Sequence, residues 1–244
     1  MNDKRYPYWI DSHSHILPGL DDGARNFEET EYLLRQAFAE GIRTVIATPH
    51  FRPSYWKNTQ IQVREVFEKT RRLAMKISRQ LQIYLWNEVY WEEEIIYHLR
   101  NGNCRVVGEG FVLIENRPDS SKNTLYEMAE LLIANNYTPV FAHVERYQAV
   151  RRERKIIEKL KEKGAWIQIN TDSMMGKNGF CTAAFCKYLL KYEKIDLLGT
   201  DCHCRDFRPP EFRKCIEYVR KNTNQDYFNR LMKNNPCELL KKEE

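Results

Sequence analysis

Two histidines and three aspartates lie within twelve residues near the start of the chain, directly after an apolar run. An extended His–Ser–His segment points both imidazoles to the same side. Imidazole and carboxylate groups together are ligands for manganese, iron or zinc. The stretch is therefore either a polar turn or a strand end that collects metal ions, and the rest of the sequence distinguishes the two. It reads WIDSHSHILPGLDDG and contains Asp11, His13, His15, Asp21 and Asp22.

Polar side chains also end the later apolar runs of the sequence. A first run, YPYWID, precedes the two histidines, and six more read RTVIATPH, QIYLWNE, FVLIEN, TPVFAHVE, AWIQIN and IDLLGTDCH. The polar residues at the ends of these six are His50, Glu88, Glu115, His143, Asn170, Asp201 and His203. Five of the six histidines thus occupy equivalent positions, which favours a metal site over chance. The sixth, His98, lies in the amphipathic stretch EEEIIYHLRNG and is assigned a structural role.

The alternation of apolar runs with helix-like stretches predicts a parallel α/β fold. The runs are continuously apolar, which is typical of strands buried on both faces of a sheet. Between them, NFEETEYLLRQAFAEG has Asn26 as the expected N-cap and Gly41 as terminator, and RRERKIIEKLKEKG ends in the same way at Gly164. Seven strand–helix units form an open sheet or a barrel. A barrel is favoured, because it gathers all the strand ends at one rim.

The expected metal ligands offer only nitrogen and oxygen donors. Nine residues are too many for one ion and suit two or three divalent metal ions that share carboxylates. Clustered ions activate water and hold the oxygens of an in-line displacement, which points to hydrolysis of a phosphate ester. In TDCHC, Cys202 and Cys204 face away from the two predicted ligands, so thiolate ligands are not expected. The predicted ligands are His13, His15, Asp22, His50, Glu88, Glu115, His143, Asp201 and His203.

Arginines follow two of the predicted ligands. HVERY places Arg146 three residues beyond one ligand, and DCHCRDFRPP places Arg205 and Arg208 just beyond His203. A guanidinium binds phosphate oxygens through paired hydrogen bonds and stabilises charge in the transition state. Arg146 and Arg208 are therefore the predicted catalytic residues, and Arg205 is left unassigned. The stretch SYWKNT after His50 is expected to overhang the site, where it either stacks on an aryl substrate or packs against the protein.

Composition excludes several other classes of protein. The chain has 244 residues, 42% of them hydrophobic and 30% charged, which is typical of a globular domain rather than a disordered segment. The net charge of +5 is modest, and without a basic stripe no nucleic-acid partner is expected. No apolar run approaches the ~18 residues of a membrane span. Seven scattered cysteines without a CxxC pair indicate reduced thiols and a cytoplasmic protein. We expect one domain over residues 1–244, and the oligomeric state is left open.

Seven strings of the sequence together resemble a known superfamily. DSHSHILPGLDDGA, ATPHF, NEVYW, LIEN, HVERY, QINTDS and GTDCHCRDFRPP occur in the order seen in the polymerase and histidinol phosphatase (PHP) superfamily. The chain is most similar to its bacterial protein-tyrosine phosphatases of capsule and exopolysaccharide systems, along essentially its whole length. The resemblance implies a distorted, TIM-like (β/α)7 barrel of the PHP type. It also implies a trinuclear centre that uses manganese, with iron, zinc or magnesium as alternatives.

The same resemblance implies a substrate and a mechanism. The substrate would be phosphotyrosine on the C-terminal tail of a tyrosine autokinase, attacked by a metal-bound hydroxide. By position, the nine predicted ligands match the metal ligands of the family, and Arg146 and Arg208 match its phosphate-contacting arginines. One departure is Trp86, because relatives commonly have a glycine two residues before the glutamate that matches Glu88. We expect Trp86 to reshape the end of the third strand or to narrow the substrate mouth.

Three other functions could use the same residues. A histidinol-phosphate phosphatase would apply the same centre to an alkyl phosphate. A phosphodiesterase or exonuclease would need a basic, aromatic binding surface, which the sequence does not show. A metal-binding regulatory protein would keep the ligands without turnover. The short connections and the HVERY string favour the protein-tyrosine phosphatase.

Overall fold

A computed structural model describes residues 9–106 and 108–241, so the first three residues of the run YPYWID lie outside the described residues. The strands are β1 (Trp9–Ser14), β2 (Ile42–Ala47), β3 (His50–Phe51), β4 (Gln82–Leu85), β5 (Glu88–Tyr90), β6 (Phe111–Glu115), β7 (Thr138–Phe141), β8 (Trp166–Asn170) and β9 (Leu197–Gly199). The α-helices are α1 (Phe27–Ala39), α2 (Gln60–Ile77), α3 (Ile95–Arg100), α4 (Lys122–Ala134), α5 (Gln148–Arg152), α6 (Lys155–Glu162), α7 (Thr171–Met174), α8 (Phe180–Lys191), α9 (Arg213–Asn222), α10 (Gln225–Asn229) and α11 (Asn235–Leu239). A 3-10 turn spans Val144–Arg146, and a π-helical turn spans Arg230–Asn234.

All seven apolar runs form strands, and the paired strands are parallel. The second and third runs are each interrupted, so that β2 and β4 join β1 in one sheet while β3 and β5 join β6 to β9 in another. Pro49, between β2 and β3, has no N–H to donate to a ladder. The register nevertheless continues across the interruption, since Ala47 pairs with Leu85 and His50 pairs with Glu88.

Contacts between β1 and β9 close the two sheets into a barrel. The Asp201 N–H donates to the His13 carbonyl at 2.8 Å, and the His15 N–H donates to the Cys202 carbonyl at 2.8 Å. The Ser12 hydroxyl donates to the Leu198 carbonyl, also at 2.8 Å. The predicted distorted TIM-like barrel is therefore confirmed, with two of its seven strands broken.

Apolar side chains from all around the ring meet inside the barrel. Ile10 from β1, Ile46 from β2, Val140 from β7 and Leu197 from β9 belong to one buried cluster. Trp86 joins that cluster from the break between β4 and β5, with 2% of its surface exposed. Its indole therefore fills the barrel interior, and the expectation that it narrows the substrate mouth is wrong.

Two expected helices differ in how closely they match the structure. The first is α1, where the Asn26 side chain accepts the Glu29 N–H at 2.9 Å and the chain leaves the helix at Gly41, whose φ is 94°. The second, expected over RRERKIIEKLKEKG, is divided into α5 and α6 around Glu153 and Arg154.

Among the helices of the described ranges, none combines the length and the apolar character that a membrane-spanning segment requires.

A buried carboxylate reinforces the closure of the barrel. Asp11 is fully buried and accepts the Thr200 N–H at 2.8 Å and the Thr200 hydroxyl at 2.6 Å. Burial raises the pKa of Asp11 to about 6, although the hydrogen bonds from Thr200 oppose the rise. This aspartate, which the sequence places beside the two histidines, thus joins β1 to the end of β9.

We expect Thr200→Val to destabilise the barrel at this closure. The isosteric change removes the hydroxyl that donates to Asp11 and that accepts the Cys202 N–H at 3.2 Å. Two buried polar groups lose a partner, so the free energy of unfolding should fall by about 1–3 kcal/mol in urea denaturation. The control Thr124→Val, in the first turn of α4, should change it by less than about 0.5 kcal/mol. Equal stabilities of the two variants would contradict this role of Thr200.

Candidate metal centre

Side chains from five strand ends and one loop converge at the rim of the barrel, with donor atoms that could hold metal ions. They fall into three groups, and within each group the donor atoms lie within 4.8 Å of one another. The groups are His15, Asp22, His50 and His203; then His13, His15 and Glu88; and then His50, Glu88 and Glu115. Shared members join the three groups into one cluster.

Glu88 lies at the centre of this cluster, and 1% of its surface is exposed. Its Oε2 atom is 3.2 Å from His13 Nε2, 3.1 Å from His15 Nε2 and 3.2 Å from His50 Nδ1. Its Oε1 atom is 2.9 Å from His143 Nε2. Four imidazoles therefore surround one carboxylate.

The surroundings of Glu88 Oε2 fit a bound cation. Among the residues that the structure describes, this buried atom has no hydrogen-bond partner, although three ring nitrogens lie close to it. His13 Nε2 and His15 Nε2 also face each other at 3.1 Å, and two protonated nitrogens would repel at that distance. Nitrogen and oxygen donors that lie this close together match the preferences of divalent transition metals.

Asp201 places a second carboxylate beside the same imidazoles. Its Oδ1 atom is 3.6 Å from His13 Nε2 and 3.5 Å from His15 Nε2. The backbone at Asp201 has φ of 50°, and that at His143 has φ of 32°, a left-handed region that non-glycine residues rarely adopt. Such strained backbone persists where surrounding contacts hold it and is common at functional sites.

Asp21 and Asp22 take different positions in the cluster. Asp21 accepts from His15 Nδ1 at 2.8 Å and from the backbone N–H of His50 at 3.0 Å, so it orients the His15 ring and fixes the backbone at His50. Asp22 is more exposed, and its Oδ1 atom lies 3.3 Å from His50 Nε2 and 3.4 Å from His203 Nε2. The loop fits this closely only with glycine at position 23, since a Cβ on Gly23 would lie 2.2 Å from the His15 carbonyl oxygen.

Two amide side chains that the ligand prediction omits hold residues of the cluster in place. Gln168 Oε1 accepts the His143 N–H at 2.7 Å and lies 3.4 Å from His13 Nδ1. Asn170 donates to Asp201 Oδ2 at 2.7 Å. Asn170 is visible in the sequence as the polar end of AWIQIN, whereas Gln168 lies inside an apolar run and gives no such signal.

The two predicted catalytic arginines contact Asp201 from the open side of the rim. Arg146 Nη2 donates to Asp201 Oδ2 at 2.7 Å, and Arg208 Nη1 donates to Asp201 Oδ1 at 3.1 Å. About a third of each arginine side chain is exposed, 32% and 30% respectively. Arg205 points elsewhere, with its guanidinium 4.5 Å from the centre of the Tyr32 ring on α1.

The loop SYWKNT reaches the edge of the cluster, as predicted. The Trp56 ring is parallel to the His50 ring within 6°, with 6.5 Å between the ring centres. Beside it, Tyr55 has 65% of its surface exposed. An aromatic surface therefore borders the cluster on the side of β3.

Burial and neighbouring charges together set the protonation of the side chains in the cluster. Burial opposes protonation of His15, but the Asp21 carboxylate outweighs it and raises the pKa of His15 to about 9. Burial and Arg146 oppose protonation of His143, yet contact with Glu115 and a neighbouring glutamate raises its pKa to about 9. Without a metal ion, protonated imidazoles balance the buried carboxylates.

The carboxylates stay ionised for the same reason. Burial raises the pKa of Asp201, but the charge of Arg146 outweighs burial and holds that pKa well below its usual range. The imidazole of His13 does the same for Glu88. His203 differs, because burial and the neighbouring His15 lower its pKa.

The cysteines stay outside this chemistry. Cys202 belongs to the hydrophobic core, and burial raises the pKa of its thiol. Burial also raises the pKa of Cys104 and of Cys215 to about 12. A thiol with a raised pKa carries little thiolate at neutral pH, so none of these three is suited to act as a nucleophile.

Known proteins resemble the chain over nearly its whole length. A family model described as capsular polysaccharide synthesis, CpsB/CapC, matches residues 9–241. The tyrosine-protein phosphatase CpsB of Streptococcus pneumoniae is 25% identical over 237 residues, which cover 95% of this chain and 98% of that protein. The tyrosine-protein phosphatase YwqE of Bacillus subtilis (strain 168) is 31% identical over 212 residues, 85% of this chain and 84% of that protein.

Solved structures share the fold. A chain from the crystal structures of YwqE from Bacillus subtilis and CpsB from Streptococcus pneumoniae, described as unique metal-dependent tyrosine phosphatases, matches with a TM-score of 0.84 at 28% identity. The match covers 95% of this chain and 94% of that chain. The phosphotriesterase homology protein of Escherichia coli, complexed with phosphate in its active site, matches with a TM-score of 0.62 at 12% identity over 96% of this chain and 99% of that one. At that identity the likeness concerns the fold alone.

We expect metal loading of the metal-free protein to release protons at pH 7. His15 and His143 have a pKa of about 9, and that of His50 is about 12, so these rings carry protons that must leave before a ring nitrogen binds a metal ion. The apparent affinity for Mn²⁺ should therefore rise with pH between 6 and 8. Titration calorimetry in buffers of different ionisation enthalpy measures the number of protons released.

The control for this titration is His98→Ala. The ring of His98 lies outside the cluster, 5.4 Å from the centre of the Phe51 ring, so its loss should leave the proton count unchanged. A binding enthalpy that does not depend on the buffer would contradict the prediction.

Proposed function

This chain belongs to the CpsB/CapC family of capsular polysaccharide synthesis proteins, and on that premise we propose that it is a metal-dependent protein-tyrosine phosphatase. The observation that carries the proposal is the convergence of imidazoles and carboxylates on Glu88, with Arg146 and Arg208 at the open side of the rim. Relatives of similar length are named tyrosine-protein phosphatases. The proposed catalytic unit is a single domain that comprises residues 1–244.

The donor set supports two or three divalent metal ions, and we propose manganese. Imidazole together with carboxylate suits Mn²⁺, and the three overlapping groups of donors would each hold one ion. His143 and Asp201 complete the proposed ligand set from the side of β7 and β9. When bound, the ions would supply Lewis-acid stabilisation of the phosphate and would activate water for attack on phosphorus.

The arginines bind and orient the phosphate in this proposal. Each guanidinium has five N–H donors, and Asp201 occupies only part of them. The remaining donors of Arg146 and Arg208 are available to the outer phosphate oxygens, where they offset the charge that develops in the transition state. Asp201 fixes both guanidinium groups before the substrate arrives, which lowers the entropic cost of ordering them.

Hydrolysis of a phosphotyrosine has little need of a general acid. The leaving group of a phosphotyrosine is a phenolate, whose conjugate acid has a pKa of about 10, so it departs more readily than an alkoxide. The aromatic surface of Tyr55 and Trp56 beside His50 supplies a place for the phenyl ring. This surface favours an aryl phosphate over the alkyl ester of histidinol phosphate.

The physiological substrate that we propose is the phosphorylated tail of a tyrosine autokinase. The family description links the chain to capsular polysaccharide synthesis, and a phosphatase in such a system needs a phosphotyrosine protein to act on. We also propose a cytoplasmic location, which is supported by the seven free cysteines.

Metal removal and reconstitution test the proposed activity. Protein stripped with a chelator should not release phosphate, and reloading with Mn²⁺, Mg²⁺, Zn²⁺ or Fe²⁺ should restore release from a tyrosine-phosphorylated peptide and not from histidinol phosphate. The metal that gives the highest kcat/KM at equal occupancy identifies the preferred ion. Release from histidinol phosphate alone would overturn the substrate while keeping the centre, and loaded protein without turnover on either would indicate a regulatory protein.

A matched pair of variants in one loop tests the role of the arginines. Arg208→Ala removes a guanidinium that faces the rim, so kcat/KM on a phosphotyrosine peptide should fall by about 10²–10³-fold. Arg205→Ala, three residues earlier, removes a guanidinium that lies over Tyr32 and should change kcat/KM by less than about threefold. Metal content is measured for both variants. Equal losses in the two would contradict the assignment of Arg208.

A further inference from the structure

A cavity of about 300 Å³ adjoins the metal centre on the side of β3. It lies between the first turns of α2 and the segment formed by residues 102–105. His50 lines this cavity and also belongs to two of the three donor groups, so the cavity and the centre share a wall. A group bound here would sit next to a phosphotyrosine whose phosphate is at the centre.

The lining of this cavity is positively charged. It contains Arg52, Arg64 and Arg105, and no carboxylate from the described part of the chain lines it. Arg52 is held in place by Glu92, at 3.3 Å from its Nε, and lies 4.0 Å from the centre of the Tyr90 ring. Arg64 and Arg105 are exposed and form no ion pair with any carboxylate of residues 9–106 and 108–241. Their charge is therefore available to a ligand.

Hydrogen bonds tie the walls of the cavity together. The buried Asn87 donates to the Pro49 carbonyl at 2.9 Å and accepts the Arg105 N–H at 2.8 Å, which fixes the segment that carries Arg105 to both broken strands. The Gln60 side chain donates to the Gly102 carbonyl across the cavity. The backbone around the cavity is thus preformed, including the segment that carries Arg105.

We propose that this cavity, which we call the arginine cavity, binds a second anionic side chain of the phosphotyrosine substrate. The inference rests on the proposed function, because it assigns sequence specificity to the same reaction. An extended peptide advances about 3.3–3.6 Å per residue, so an acidic side chain within three residues of the phosphotyrosine reaches the neighbouring cavity. Either a carboxylate or a phosphoryl group would satisfy the two unpaired guanidinium groups.

A series of peptides tests the proposal. Each peptide carries one phosphotyrosine, with a single glutamate, glutamine or lysine placed at one of the three positions before or after it. At one position or more, the glutamate peptide should have a kcat/KM about tenfold higher than the glutamine peptide, because the pair with arginine is charge-assisted. Replacing that glutamate with phosphoserine distinguishes a carboxylate ligand from a phosphoryl ligand.

The variant Arg64→Glu/Arg105→Glu should reverse this preference. With the charge of the arginine cavity inverted, the lysine peptide should exceed the glutamate peptide. The control Arg72→Glu/Arg79→Glu makes the same change in charge toward the other end of α2, away from the cavity, and should keep the preference for glutamate. Circular dichroism verifies that both variants fold.

Two outcomes would overturn the arginine cavity as a subsite. One is a wild-type protein that hydrolyses all the peptides equally, and the other is a glutamate preference that Arg64→Glu/Arg105→Glu leaves intact. In either case turnover of the peptides still supports the phosphatase. If there is no turnover, the same peptides are made with a non-hydrolysable phosphonate in place of the phosphate. Their affinities, measured by fluorescence anisotropy, then test whether the arginine cavity binds an anionic side chain, independently of the proposed function.

Discussion

The structure depends on the burial of two charged carboxylates, Glu88 and Asp201, at the ends of two strands. An unpaired ion in the interior of a protein is penalised by several kcal/mol, so these groups persist only where positive charge surrounds them. Imidazoles enclose Glu88, and guanidinium groups contact Asp201. The barrel, its closure and the loops above it can be understood as the framework that brings these opposite charges together.

A parallel barrel meets this requirement because it directs the ends of distant strands to one rim. His13 and Gln168 come from opposite sides of the contact between β1 and β9, yet they lie side by side. The approach is so close that a Cβ on Gly199 would lie 2.5 Å from the Cβ of His13. Packing inside the barrel is apolar, so the polar groups concentrate above it rather than through it.

Much of this organisation is predictable from the sequence, because in a parallel barrel the residues that end each strand lie together at one rim. The continuous apolar runs predict the seven strands, and the polar residues that end them are brought together as expected. Their role as metal ligands stays a prediction. Pro49 is a local signal for the break after Ala47, whereas the break after Leu85 is followed by the apolar Trp86 and depends on how neighbouring strands pair.

Side-chain partners beyond the cluster were harder to predict, because they depend on contacts between residues far apart in sequence. In the sequence, Asp11 and Asp21 are aspartates beside the same two histidines, just as Asp22 is. In the structure, Asp11 closes the barrel against Thr200, and Asp21 orients His15. The side chain of Arg205 turns toward α1 because it packs on the Tyr32 ring there, a contact that the sequence of its own loop does not indicate. The spacing of polar residues predicts which of them lie at the rim, whereas the contacts that each one makes there are known only from the three-dimensional structure.

Asp201 contacts both the imidazoles of the cluster and the two arginines at the rim. Its Oδ1 atom faces the imidazoles, while both of its oxygens accept from the arginines at the rim. A change in charge at the cluster therefore acts on Arg146 and Arg208 through Asp201, and on Arg208 also through His203, whose Nδ1 lies 2.8 Å from Arg208 Nη1. Cation binding that draws charge from Asp201 would weaken its hold on the guanidinium groups and strengthen their attraction for an anion. Under the proposed function, the arrangement would couple occupancy of the centre to the affinity of its edge for phosphate.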